Sequence, residues 1–178
     1  MFIDESGILS EPLVKRTWGL CGRTPTLLHR CRHRRKLSVI GALTISPARR
    51  RLGLLLRWHA DRSIRTPQVL SFLRALLKSV RGHLIVVWDG LLAHRASAVR
   101  ELAGASGRMD LERLPGYAPD LNPMEGGWGH IKWHQMANHG LAEVPKIHAM
   151  AKRAGRKVSS SQRLLRSFVK ASQLPLRL

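Results

Sequence analysis

The feature that most restricts the fold is the run His83-Leu-Ile-Val-Val-Trp88, closed by Asp89-Gly90. A short, unbroken apolar run rich in β-branched residues reads as a strand covered on both faces. The segment before it supplies one cover. Thr66-Pro67 is a helix entrance with proline at the first helical position. Val69, Phe72, Leu73, Leu76, Leu77 and Val80 then recur at spacings of three and four, so one helix face is apolar until Arg81-Gly82 ends it. A helix that feeds directly into a buried strand suits a mixed α/β sheet with helices on its faces.

Other strands follow from period-two patterning. Leu37-Ser-Val-Ile-Gly-Ala-Leu-Thr-Ile45 puts Leu37, Val39, Leu43 and Ile45 on one face, and Leu52 to Trp58 does the same with Leu52, Leu54, Leu56 and Trp58. A six-residue connection joins these two as an antiparallel hairpin. Phe2-Ile3 adds a very short first strand, and Asp110–Leu114 a last one. Helices are expected over Ala93–Ala103 and from Asn122 to about Asn138, with a basic, helical tail from Leu141 whose best amphipathic stretch is Arg163–Val169. The expected architecture is a five-stranded mixed sheet flanked by helices, spanning residues 1–138, followed by a basic helical extension over 139–178.

The 178 residues carry 31 Lys+Arg against 11 Asp+Glu, a formal charge of +20. An apolar content of 44% is close to the globular norm, so the chain is not a disordered basic tail. The charge is clustered: eight Lys/Arg and no acid from Pro12 to Lys36, a knot at Arg49-Arg50-Arg51, and nine Lys/Arg against Glu143 beyond Gly140. Such clustering needs a polyanion, and nucleic acid phosphate is the expected partner. No apolar run approaches the length of a membrane span, and Asp4-Glu5 near the start is unlike a signal peptide. The expectation is a cytoplasmic protein with no membrane partner. Cys31 between His29 and His33 raises a zinc reading, but the paired ligand spacing of a zinc module is missing.

With so few acids, each can be weighed. Asp89 stands at the carboxyl end of the buried strand, where α/β sheets bind ligands, although an Asx turn would account for it equally. Glu125 follows Asn122-Pro123 in the spacing of a capping box, in which it would merely tie down a helix start. Asp4 lies near the terminus, where exposed acids are common. Brought together in a basic groove, the three would repel one another unless hard divalent cations lay between them. Two Mg2+ ions in such a site support phosphodiester cleavage and transfer without a nucleophilic side chain.

The segments carrying these acids resemble a known family. Phe-Ile-Asp4-Glu5-Ser-Gly, Arg16-Thr-Trp18-Gly, Val-Trp-Asp89 with His94-Arg95 following, and Leu-Pro-Gly-Tyr-Ala-Pro-Asp120-Leu-Asn122-Pro-Met-Glu125 with Trp128 and Lys132 are similar to the DDE endonuclease domain of mariner-related bacterial insertion-sequence transposases. The 35 residues between Asp89 and Glu125 suit that family's close spacing. The resemblance implies a ribonuclease-H-like fold and a catalytic, metal-binding set of Asp4, Asp89 and Glu125 holding two Mg2+ or Mn2+ ions. It also implies cleavage at transposon ends with strand transfer into target DNA, by a chain assembled as a homo-oligomer on the nucleoid. The helix-turn-helix region that members carry would then come from a separate protein or reading frame. Two departures stand out: Gly90 replaces the Asn common after the second Asp, and Gly126, Gly127 and Gly129 crowd the helix of the third carboxylate. A chain keeping this fold and charge without its metal site would be a catalytically inactive nucleic-acid-binding remnant. An RNA-directed nuclease is the third reading.

Overall fold

The computed structural model describes residues 1–29, 35–47, 51–141 and 143–175. Five strands form one sheet: β1 (Phe2–Leu9), β2 (Lys36–Ile45), β3 (Leu52–Ala60), β4 (Leu84–Trp88) and β5 (Met109–Arg113), in the order β3-β2-β1-β4-β5. β1, β2 and β3 are antiparallel to their neighbours, whereas β1, β4 and β5 run parallel. This is the mixed five-stranded sheet expected from sequence. The first strand, however, is eight residues long rather than two, because Glu5 to Leu9 continue to pair with Ile40 to Lys36. Central position gives β1 partners on both edges, which the local sequence does not announce.

Helices cover both faces. α1 (Thr66–Ser79) and α2 (Ser97–Ser106) pack Val69, Phe72, Leu73, Leu76 and Val99 on Ile3, Ile40, Ala42, Val86 and Trp88. The opposite face receives α3 (Pro123–Gly129), a π-helical segment (His130–Met136), α4 (Val144–Ser159) and α5 (Gln162–Ala171). Met124, Trp128, Ile131, Ile147, Ala151, Val158, Leu165 and Phe168 meet Phe2, Val39, Leu43 and Leu52 there. The basic tail is therefore helical, and its apolar stripe is spent on the same core that holds β1.

Three local differences have physical causes. The helix expected over 122–138 is α-helical only to Gly129 and then widens into a π-turn, after three glycines that weaken the α-helical ladder. The helix expected from Ala93 starts as a 3-10 turn over Leu92–Arg95 before α2. β4 buries Leu84, Val86 and Trp88, but Ile85 is 53% exposed, since the helices of the second face lie over β1, β2 and β3. Cys21 is an exposed free thiol, while Cys31 and His33 of the zinc reading fall outside the described residues. No helix among the described residues is long and apolar enough to cross a membrane.

Candidate active site

The parallel pairing of β1 and β4 sets Phe2 against Val87, and Asp4 and Asp89 each follow two residues further along their strands. Two steps along a strand preserve the facing, so both carboxylates come to the same end of the sheet. Glu125 arrives from α3. The Asn122 side chain caps that helix by accepting the Met124 N–H at 3.1 Å, but the Asn122 N–H donates to the Pro119 carbonyl. The reciprocal half of a capping box is thus not used, and the Glu125 side chain stays exposed. Asp4, Asp89 and Glu125 line one cleft of about 450 Å3, with Arg95, Arg113 and Tyr117 on its rim.

Each carboxylate is held differently. Asp4 is buried and its Oδ2 accepts the Trp128 indole N–H at 2.8 Å. Burial, reinforced by the charge of Glu125, pushes its carboxyl up from 3.8 to about 7 despite that hydrogen bond. Trp128 reaches Asp4 because Gly41, the β2 partner of Asp4, has no side chain: a Cβ there would come within 2.7 Å of Met124 and 2.8 Å of the Trp128 ring. Asp89 Oδ1 accepts the Leu91 N–H at 3.0 Å and lies 2.9 Å from His94 Nδ1. The Asx-type turn and the cleft position therefore coexist. Burial raises the Asp89 carboxyl, but the bonds from His94 and Leu91, with Arg113 nearby, outweigh it and hold the carboxyl below its usual range.

His94 sits fully inside, stacked on Trp88 at 4.1 Å between ring centroids, with Nε2 3.1 Å from Glu5 Oε1. Burial would lower this imidazole, yet its bonds to Asp89 and Glu5 lift it from 6.5 to about 9. Glu5, one step along β1 from Asp4, points to the opposite face and meets His94 there; its Oε2 is buried without a hydrogen-bond partner. Among the described residues Glu5, Asp89 and His94 form the tightest potential ligand group, with ligating atoms within 4.8 Å of one another. The Asp4–Asp89–Glu125 set is more open. Lys132, on the π-helical segment, feels both Glu125 and Asp4, though burial dominates and lowers its ammonium.

Sequence reasoning missed the Trp128–Asp4 bond, since a Trp at core spacing looks like packing. It also missed the bridging of Glu5 to Asp89 by His94, and the arginines on the rim. The Tyr117 backbone is left-handed, with φ +56°, and its ring is fully exposed at the cleft mouth. The Asp4–Asp89–Glu125 donor set is oxygen throughout, which fits hard divalent cations.

Comparison with known proteins identifies the fold and the family. The fold aligns with the mariner Mos1 paired-end complex with Mg at 18% identity and a TM-score of 0.60, over 97% of this chain and 52% of that one. It aligns with the Mos1 strand transfer complex at 16% identity and 0.55, over 99% and 56%, and with the Mos1 paired-end complex with Mn at 17% and 0.54, over 99% and 56%. The chain thus spans about half the length of these relatives and shares their ribonuclease-H-like fold. No curated protein matches it in sequence. A family profile described as DDE superfamily endonuclease matches residues 1–147, more than four-fifths of the chain, and the protein accordingly belongs to the DDE endonuclease superfamily.

Proposed function

We propose that this chain is the catalytic domain of a DNA transposase, its cleavage and strand-transfer centre formed by Asp4, Asp89 and Glu125. The observation that carries the reading is the convergence of these three acids, from three separated segments, on one cleft in a chain of charge +20. They would hold two Mg2+ or Mn2+ ions. When bound, the ions supply activation of a water or a 3′-hydroxyl and stabilise the leaving oxygen.

The protein's own groups do the positioning. Trp128 donates to Asp4 Oδ2 and fixes the position of the carboxylate on the cleft wall. His94 and the Leu91 N–H both load Asp89 Oδ1, so Oδ2 is the oxygen left for a cation. Asn122 fixes the start of α3 and hence the root of Glu125. DNA is the substrate, and the basic surface supplies its non-specific attraction. Mos1 was solved as a paired-end complex and a strand transfer complex, which supports transposon ends and target DNA as partners here, with the chain acting as a homo-oligomer assembled on them. Residues 1–138 form the catalytic unit in this reading, with α4 and α5 bracing it from the extension over 139–178.

Supercoiled plasmid nicking with Mg2+ or Mn2+ tests the proposal. Asp89→Asn and Glu125→Gln should each abolish nicking while leaving DNA binding intact. Nicking that survives both substitutions removes these residues from the chemistry.

A further inference from the structure

One wall of the cleft is cationic, and one arginine on it is held in an uncommon way. Arg113 ends β5, paired with Trp88 beside Asp89. Its guanidinium lies over the backbone of Gly90: a Cβ at residue 90 would come within 2.6 Å of Nη2, 2.7 Å of Nε and 2.8 Å of Cζ. Any side chain there would displace the fork, and glycine leaves it room. Asp89 feels the Arg113 charge, but no hydrogen bond or ion pair joins the two side chains; His94 and the Leu91 N–H are the partners of Asp89 Oδ1. Among the described residues none accepts a hydrogen bond from the Arg113 side chain. The result is a planar fork of donors, unspent, on the lip of a cleft floored by three carboxylates.

From this geometry we infer that Arg113, seated on Gly90, takes a phosphodiester of the DNA strand that enters the cleft. The inference rests on the proposed function and adds a substrate contact to it. A guanidinium fork matches two phosphate oxygens in one plane, which an ammonium does not. Phosphate approaching Asp4, Asp89 and Glu125 meets repulsion, and a cation on the same lip offsets it at the point of entry. Arg95 and the exposed Tyr117 ring border the same opening. Gly90 then leaves room for the fork at this place, which a side chain after Asp89 would occupy.

The test uses the full chain in EDTA with a mixed-sequence DNA duplex. Arginine modification by phenylglyoxal is read residue by residue by mass spectrometry, with exposed Arg74 on α1 as the internal reference. The duplex should protect Arg113 strongly and Arg74 weakly. Gly90→Ala leaves the chain's charge unchanged, yet should erase that difference and weaken duplex binding about tenfold, as should Arg113→Ala. Equal protection of Arg113 and Arg74, or wild-type binding by a folded Gly90→Ala, overturns the inference. If Gly90→Ala lowers the melting temperature, Arg113→Lys decides: it keeps the charge but loses the fork, and wild-type binding by it overturns the inference equally. Calorimetric titration of Mn2+ into Asp89→Asn runs in parallel. Binding that persists there defeats the metal-site reading itself, whatever the arginine shows.

Discussion

Asp4→Asn should make the metal-free protein more stable, and the size of the effect follows from the surroundings of this side chain. The carboxyl is buried beside Glu125 and titrates near 7 instead of 3.8. An acid whose folded pKa is raised binds more protons folded than unfolded, so the fold loses stability as pH rises from 3.8 to about 7. At about 1.36 kcal/mol for each pH unit of displacement, the ionised side chain costs the fold about 4 kcal/mol above that window. Asparagine keeps an acceptor for the Trp128 N–H, whose strength in the ionised state is already contained in that pKa, but the new amide N–H needs a partner and costs about 2 kcal/mol if it finds none. The net expectation is a gain of about 2 kcal/mol near pH 8 that falls by about 4 kcal/mol on acidification, leaving the wild type the more stable near pH 4. Urea unfolding in EDTA, followed by tryptophan fluorescence across this range, measures it. Saturating Mn2+ should reverse the ranking, because ligand binding stabilises only the protein that retains the site. A variant no more stable than the wild type near neutral pH, or a gap that does not close on acidification, refutes the reasoning.

Further outcomes follow from neighbouring features. His94, lifted to about 9, contributes stability that is fully present below 6.5 and lost as pH rises through about 9; His94→Phe should remove that slope from the unfolding profile while keeping a ring on Trp88. Gly41→Ala forces a Cβ into Met124 and Trp128 and should cost about 1–3 kcal/mol in urea unfolding, with weaker Mn2+ binding by calorimetry because Trp128 no longer reaches Asp4. Chelation should stop plasmid nicking, and Mn2+ at about a hundred times its dissociation constant should add about 2.7 kcal/mol to the wild-type protein and nothing to Asp89→Asn.

Much of this arrangement was legible before any coordinates. The period of α1 and the alternation of β2 and β3 came directly from apolar spacing, because each element has one buried side. The three candidate acids could be named, yet none could be weighed alone, since Asp89 does form the local turn that offers an innocent explanation for it. What stayed hidden depends on contacts between distant segments. β1 extends to Leu9 only because β2 is there to pair with it. Glu5 meets His94 across 89 residues, and Trp128 meets Asp4 across 124. The widening of the helix after Gly129 is a compromise between weak local propensity and a packed face formed by Ile131 and Met136, which no local pattern encodes.

The glycines beside Glu125 carry a consequence for how such a chain changes over generations. Gly126 faces the ring of Phe168 on α5, and a Cβ there would stand 3.2 Å from it. The two positions therefore compete for one volume: a side chain at 126 requires the Phe168 ring to give by a few tenths of an ångström, and a smaller residue at 168 removes that demand. Substitutions at these sites should be inherited as pairs, and a drifting copy of the gene that alters one without the other would lose the footing of its third acid before losing the acid itself.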